Sequence, residues 1–168
     1  MANRKIGIVM GSNSDLETMK EAINMLKEFE VDFDVNIVSA HRSPETAHTY
    51  AKEAEKKYEV VIAAAGGSAH LAGVIASLTP IPVIGVPMLT SGLGGLDSLL
   101  STVQMPAGIP VSTMGIGKSG AINAAIFAVQ IVSMSDKKLR QKIVLYKKRL
   151  ADAVAKKDKE IRTELGLL

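Results

Sequence analysis

The stretch EVVIAAAGG, Glu59–Gly67, decides the fold. Every residue from Val60 to Ala65 is apolar, and two glycines end the run. Strict alternation would mark a strand with one face in water. An unbroken apolar run stopped by glycine instead marks a strand buried on both faces, the kind found in parallel sheets covered by crossover helices.

The flanking sequence repeats the theme. On the N-terminal side, KIGIVM (Lys5–Met10) is another short apolar strand, ending at Gly11. Leu16, Met19, Ile23 and Leu26 then recur at helical spacing, with Ser14 and Glu17 in a capping-box relation. FDVNIVS (Phe33–Ser39) predicts a strand with Phe33, Val35 and Ile37 facing inward. Ser43 as N-cap and Pro44 in the first turn open a helix to about Lys57. On the C-terminal side, HLAGVIASL (His70–Leu78) predicts a short helix, IPVIGVP (Ile81–Pro87) a strand and GLDSLLSTVQ (Gly95–Gln104) a helix. IPVSTMG (Ile109–Gly115) predicts a fifth strand, and KSGAINAAIFAVQIVS (Lys118–Ser133) a small-residue helix suited to close packing.

Strand and helix alternate throughout. The expected fold is therefore α/β: three layers, α/β/α, around a five-stranded parallel sheet of the doubly wound, flavodoxin-like kind. From Asp136 onward Leu139, Ile143, Tyr146, Leu150, Val154 and Ile161 form a stripe at roughly helical spacing. One helix of some 28 residues would be about 42 Å long, longer than the body of a small domain, and is expected to reach a neighbouring subunit. The chain is read as a single domain, residues 1–168, with a core of 1–135 and a helical extension of 136–168.

Composition narrows the function classes. The 168 residues are 47% hydrophobic and include no cysteine, which excludes disulfides, thiolate metal sites and cysteine nucleophiles. No apolar run reaches the roughly 18 residues of a membrane span, and MANRKIGIVM does not read as a secretory leader. A cytoplasmic protein is expected. Residues 136–168 carry a net +6 and the rest a net −3. The basic residues of the tail interleave with its apolar stripe, and Tyr146 is its one base-stacking side chain, so a solvated helix face is favoured over a nucleic-acid groove.

Open parallel sheets bind ligands beyond the carboxyl ends of their strands, so the strand ends are where chemistry is sought. GSNSD (Gly11–Asp15) offers a glycine, two hydroxyls and helix-start N–H groups suited to an oxyanion; alternatively Ser14 or Asp15 only caps the helix. The loop matches neither the Walker nor the G-x-G-x-x-G pattern. SAHRSP (Ser39–Pro44) supplies Arg42, whose planar fork suits a phosphate or else a surface salt bridge to Glu45. His41 either moves a proton or bonds a backbone carbonyl. AGGSAHL (Ala65–Leu71) presents backbone N–H groups suited to a carboxylate or CO2 unit, or is only a tight turn, and His70 either enters the site or caps the next helix. A metal held by His41 and His70 needs a third ligand, for which Asp15 and Asp97 are the rim candidates. Gly92–Gly95 reads as a flexible loop closing over ligand. Lys118 could hold an anion at its helix start, with small-residue packing the safer reading. His48 falls about two helical turns from His41.

In order and spacing, GSNSD, SAHRSP, AGGSAHL, GVP, GLDSLLSTVQMPAGIPV and NAA closely resemble the bacterial N5-carboxyaminoimidazole ribonucleotide mutases of purine biosynthesis, from Ile6 to about Ile131. The resemblance implies migration of a carboxylate from the exocyclic nitrogen to ring carbon C4. It implies no metal, ATP or biotin, and a flavodoxin-like subunit in a homo-octamer whose C-terminal helices reach neighbours. It also assigns roles. Ser12, Ser14 and Asp15 match the nucleotide loop, with Asp15 toward the ribose hydroxyls. Arg42 matches the phosphate-binding arginine, with Ser39 beside it. His41 matches the proton-carrying histidine. Gly66, Gly67, Ser68, His70 and Leu71 match the segment around the migrating carboxyl group. Ser68, Ala72 and Ala64 stand where alanine, proline and glycine are common; none of these removes a group the reaction needs.

The chemistry these residues suit is loss of a labile carbamate, retention of CO2 in a water-poor pocket, attack by C4 and removal of its proton, with His41 giving and then taking the proton. Direct nitrogen-to-carbon transfer fits the same residues. The rival readings are aminoimidazole ribonucleotide carboxylase, which uses CO2 directly, and a non-catalytic nucleotide- or flavin-binding protein, the latter poorly matched by a chain with 4% aromatic residues.

Overall fold

A computed structural model describes residues 5–167. Five strands form one sheet: β1 (Lys5–Met10), β2 (Phe33–Ile37), β3 (Tyr58–Ala65), β4 (Val83–Pro87) and β5 (Ser112–Thr113). Among the described residues all strand pairings are parallel, in the order β2-β1-β3-β4-β5. The helices are α1 (Leu16–Glu28), α2 (Pro44–Lys57), α3 (Leu71–Ala76), α4 (Leu96–Val103), α5 (Gly117–Ser133) and α6 (Lys137–Glu164). This is the flavodoxin-like order the alternation predicts.

The central strands bury both faces. Val9, Val61 and Ala63 pack with Ala47, Ala51 and Ala54 of α2 and with Leu71, Ala72 and Ile75 of α3. The intervening residues Ile6, Ile8, Met10, Val60, Ile62 and Ala64 are equally buried. Successive strand side chains point to opposite faces, so both sides of the sheet are covered. Gly7, in the middle of β1, makes room for two tyrosines. A Cβ there would stand 2.8 Å from both the Tyr50 hydroxyl and Tyr58 Cδ2.

Several local expectations need correction. Val35 and Ile37 are not inward but 39% and 57% exposed. β2 is an edge strand with one neighbour, so side chains beyond the covered centre reach the surface. The buried face of α1 is Met19, Ala22 and Leu26, with Leu16 exposed. The capping box is Ser12 with Asp15, not Ser14 with Glu17, because a 3₁₀ turn (Asn13–Asp15) precedes α1. Ser43 holds the N-cap position of α2, but its hydroxyl donates to Ser39 O, 3.1 Å, and accepts from Ser39 N–H, 3.2 Å. β5 shrinks to two residues, aligned with Ile84 and Gly85. Pro110 just before it lacks the N–H that would extend the ladder.

The described chain divides into two compact units, meeting in sequence between Val132 and Ser133. In the first, α5 buries Ala121, Ala124, Ala125 and Ala128 completely, as its small-residue composition predicts. In the second, α6 runs 28 residues as one helix. Asp136 Oδ1 caps it, accepting from the N–H groups of Lys138 at 2.9 Å and Leu139 at 3.0 Å. Leu139 and Ile143 of its stripe are buried, whereas Leu150, Val154 and Ile161 are exposed.

Candidate active site

The carboxyl ends of β1, β3 and β4, with the segment following β2, converge on a cavity of about 460 Å³. That is within the usual range for small-molecule sites, roughly 300–1,000 Å³. Ten of the eleven candidate residues line it: Ser12, Ser14, Asp15, Ser39, His41, Arg42, Gly66, Ser68, His70 and Leu71. Gly67 does not.

The β1–α1 loop organises itself. Asp15 Oδ2 accepts from the Ser12 N–H at 3.2 Å, and Ser12 Oγ accepts from the Ser14 N–H at 3.3 Å. The Ser14 and Ser12 hydroxyl oxygens lie 2.9 Å apart. Two of the expected free helix-start N–H groups are therefore already used, and the hydroxyls become the loop's main polar surface toward a ligand. Asp15 both caps and lines the cavity. Burial pushes its carboxyl above the ordinary carboxylate value, against the lowering pull of the Ser14 hydroxyl, the Ser12 N–H and the Arg42 charge.

Arg42 ties the second loop to the first. Its Nη2 donates to Gly11 O at 2.9 Å and its Nε to Ser39 Oγ at 3.4 Å. The Arg42 backbone N–H also donates to Ser39 Oγ, at 3.1 Å. A guanidinium has five N–H donors, so three stay uncommitted by these bonds. The fork thus stands beside the GSNSD hydroxyls, and this placement replaces the salt bridge to Glu45 as the arginine's setting.

His41 and His70 meet, with Nε2 of His41 2.9 Å from Nδ1 of His70 and the rings edge to face. One of these nitrogens donates and the other accepts. The His41 side chain thus faces a histidine, and His70, though it precedes α3, makes no side-chain cap. His48 lies on α2, exposed and outside the cavity lining. Among the described residues no three His, Cys, Asp or Glu side chains group as metal ligands.

Ala40, Ala65, Met88, Leu89 and Thr90 also line the cavity. Position at a strand end is the signal that marks them, but they carry no ionisable group to draw notice. Met88 N–H donates to Ala65 O at 2.9 Å, which fixes the start of the post-β4 loop against the end of β3. Lys118, in the first turn of α5, pairs with Glu21 at 3.6 Å.

The family model described as AIR carboxylase matches residues 5–153. The chain belongs to the AIR carboxylase family. Within that family it is 56% identical over 144 residues to the N5-carboxyaminoimidazole ribonucleotide mutase of Pyrococcus abyssi, covering 85% of this chain and 82% of that one. It is 50% identical over 165 residues to the protein of the same name from Mycobacterium tuberculosis, covering 98% and 94%. The crystal structure of Treponema denticola PurE superposes with a TM-score of 0.86 at 26% identity, covering 95% of this chain and 99% of that chain. Family membership thus extends across all the strand ends that build the cavity.

Proposed function

We propose that the protein is an isomerase, converting N5-carboxyaminoimidazole ribonucleotide to 4-carboxy-5-aminoimidazole ribonucleotide in purine biosynthesis. The observation that carries the reading is the His41–His70 pair, 2.9 Å apart, opening into the same cavity as Arg42 and Asp15. A histidine pair and an anion-gripping fork in one pocket suit a phosphorylated nucleotide whose base must gain and lose a proton.

Arg42, with Ser12, Ser14 and Ser39, takes the phosphate, and Asp15 accepts from the ribose hydroxyls. That leaves the imidazole ring toward the histidines and the Gly66–Leu71 segment. His41 donates a proton to the exocyclic nitrogen as the carbamate N–C bond breaks and CO2 departs. Ring carbon C4 then attacks the CO2 held in the pocket, forming the C4–C bond. The proton left on C4 returns to His41, and the residue ends as it began. His70 orients His41 through their shared hydrogen bond. Gly66, Gly67, Ser68 and Leu71 enclose the carboxyl group.

The wider proposal is a cytoplasmic homo-octamer acting on this small molecule without cofactor, nucleic acid or membrane, each chain one domain with core 1–135 and extension 136–168. The exposed Leu150, Val154 and Ile161 of α6 and the exposed Val35 and Ile37 of β2 support burial against other copies. Among the described residues no helix is long and apolar enough to cross a membrane.

The deciding experiment supplies the N-carboxylated nucleotide and, separately, aminoimidazole ribonucleotide with bicarbonate. Faster turnover of the first is expected. Efficient turnover of the second alone would make the protein a carboxylase and overturn the proposal.

A further inference from the structure

Gly67 sits in sequence between two residues of the cavity wall. Its neighbours Gly66 and Ser68 line the cavity, whereas Gly67 does not. Its backbone is left-handed, with φ of 66°. Its N–H is not offered to a ligand at all: it donates to Ser98 Oγ at 2.9 Å, from a serine with no solvent exposure. On the carbonyl side, the Ser101 hydroxyl lies 3.4 Å from Gly67 O and 2.7 Å from Asp97 O. Both polar groups of one peptide residue are thus met by side chains one helical turn apart on α4. The start of that helix is itself tied to the post-β4 loop by Thr90, whose hydroxyl donates to Asp97 at 2.7 Å.

We infer that Ser98 is a positioning residue for the carboxyl-transfer step, acting through Gly67 on the orientation of the Gly66 and Ser68 backbone. Two features make this more than packing. A left-handed glycine has broad freedom, so a fixed partner is needed to hold one peptide orientation. And a half-buried N–H stripped of its acceptor is left to seek another, so the segment would turn. A turned Gly67 peptide moves the two cavity-lining residues on either side of it. The phosphate and ribose groups of the site lie on other loops, after β1 and β2, and are untouched. The helix therefore controls how the carboxyl group is held without controlling how the nucleotide is held.

The inference rests on the mutase reading, and its test separates the two. Wild-type protein, Ser98→Ala and Ser98→Cys are compared for turnover of the N-carboxylated nucleotide and for calorimetric affinity toward aminoimidazole ribonucleotide, which lacks the carboxyl group. Ser98→Ala is expected to lose about 10- to 100-fold in kcat, the scale of a small misplacement of reacting groups. Affinity for the carboxyl-free nucleotide should stay within about twofold. Ser98→Cys keeps the volume with a weaker acceptor and should fall between the two. Should Ser98→Ala fail to fold, Ser98→Cys decides: kcat reduced with affinity kept supports the role, and wild-type kcat overturns it. Wild-type kcat in Ser98→Ala overturns it too, as does loss of nucleotide affinity in step with turnover, the signature of a merely structural serine. Failure of the wild type to turn over the N-carboxylated nucleotide would instead overturn the mutase reading.

Discussion

Replacing Arg42 with lysine separates grip from chemistry. The guanidinium spends two donors on Gly11 O and Ser39 Oγ and keeps three for a ligand. In the proposed role, two of those form a fork across the substrate phosphate. Lysine keeps the positive charge but presents a single point of contact, so the variant forfeits about one charge-assisted hydrogen bond, roughly 1.5–3 kcal/mol. At about 1.4 kcal/mol per tenfold, affinity for aminoimidazole ribonucleotide should weaken roughly 10- to 150-fold. The phosphate is bound equally before and during carboxyl transfer, so saturated kcat should stay within about threefold. Stability should hardly move, because exposed polar contacts of this kind contribute roughly 0–1 kcal/mol. Calorimetric titration gives the affinity, saturating kinetics the kcat, and thermal melting the stability. Unchanged affinity would remove Arg42 from the phosphate site. Lost kcat at full saturation would place it in the chemistry instead.

Other perturbations test other parts of the site. His41→Asn should fold and bind aminoimidazole ribonucleotide like the wild type while losing turnover by about 100-fold or more, the scale of a general acid–base group; near-normal turnover would exclude His41 as the proton carrier. Asp15→Asn should melt at a higher temperature near pH 7 yet bind nucleotide less well. The reason is the sign of the Asp15 shift: a carboxyl raised above its ordinary 3.8 by burial binds more protons folded than unfolded, so its contribution to stability falls as pH climbs through the window above 3.8. Asparagine still offers an acceptor to the Ser12 N–H, and a lower melting temperature at pH 7 would contradict this account. Gly7→Ala should cost about 1–3 kcal/mol in a denaturant melt, because its Cβ would meet Tyr50 and Tyr58 at 2.8 Å; an unmoved midpoint would show that the tyrosines yield freely.

The layer architecture is legible in the sequence, because unbroken apolar runs such as Val60–Ala65 have no stable place except between two covering layers. So is the place to look for the site, because strand ends in such a sheet are positions in a linear pattern. Period and punctuation are local properties, and residues carry them openly. What the tertiary structure decided depends on distance between loops remote in the chain. His41 and His70 are 29 positions apart, and only the sheet order, which brings the ends of β1 and β3 together with the loop after β2, makes them a hydrogen-bonded pair. The same holds for the edge position of β2, which exposes Val35 and Ile37 despite an alternation that reads as inward. It holds most of all for Gly67 and Ser98, 31 positions apart. A glycine beside the site reads as a ligand contact from sequence, because nothing local reveals that its N–H is already held by a buried hydroxyl.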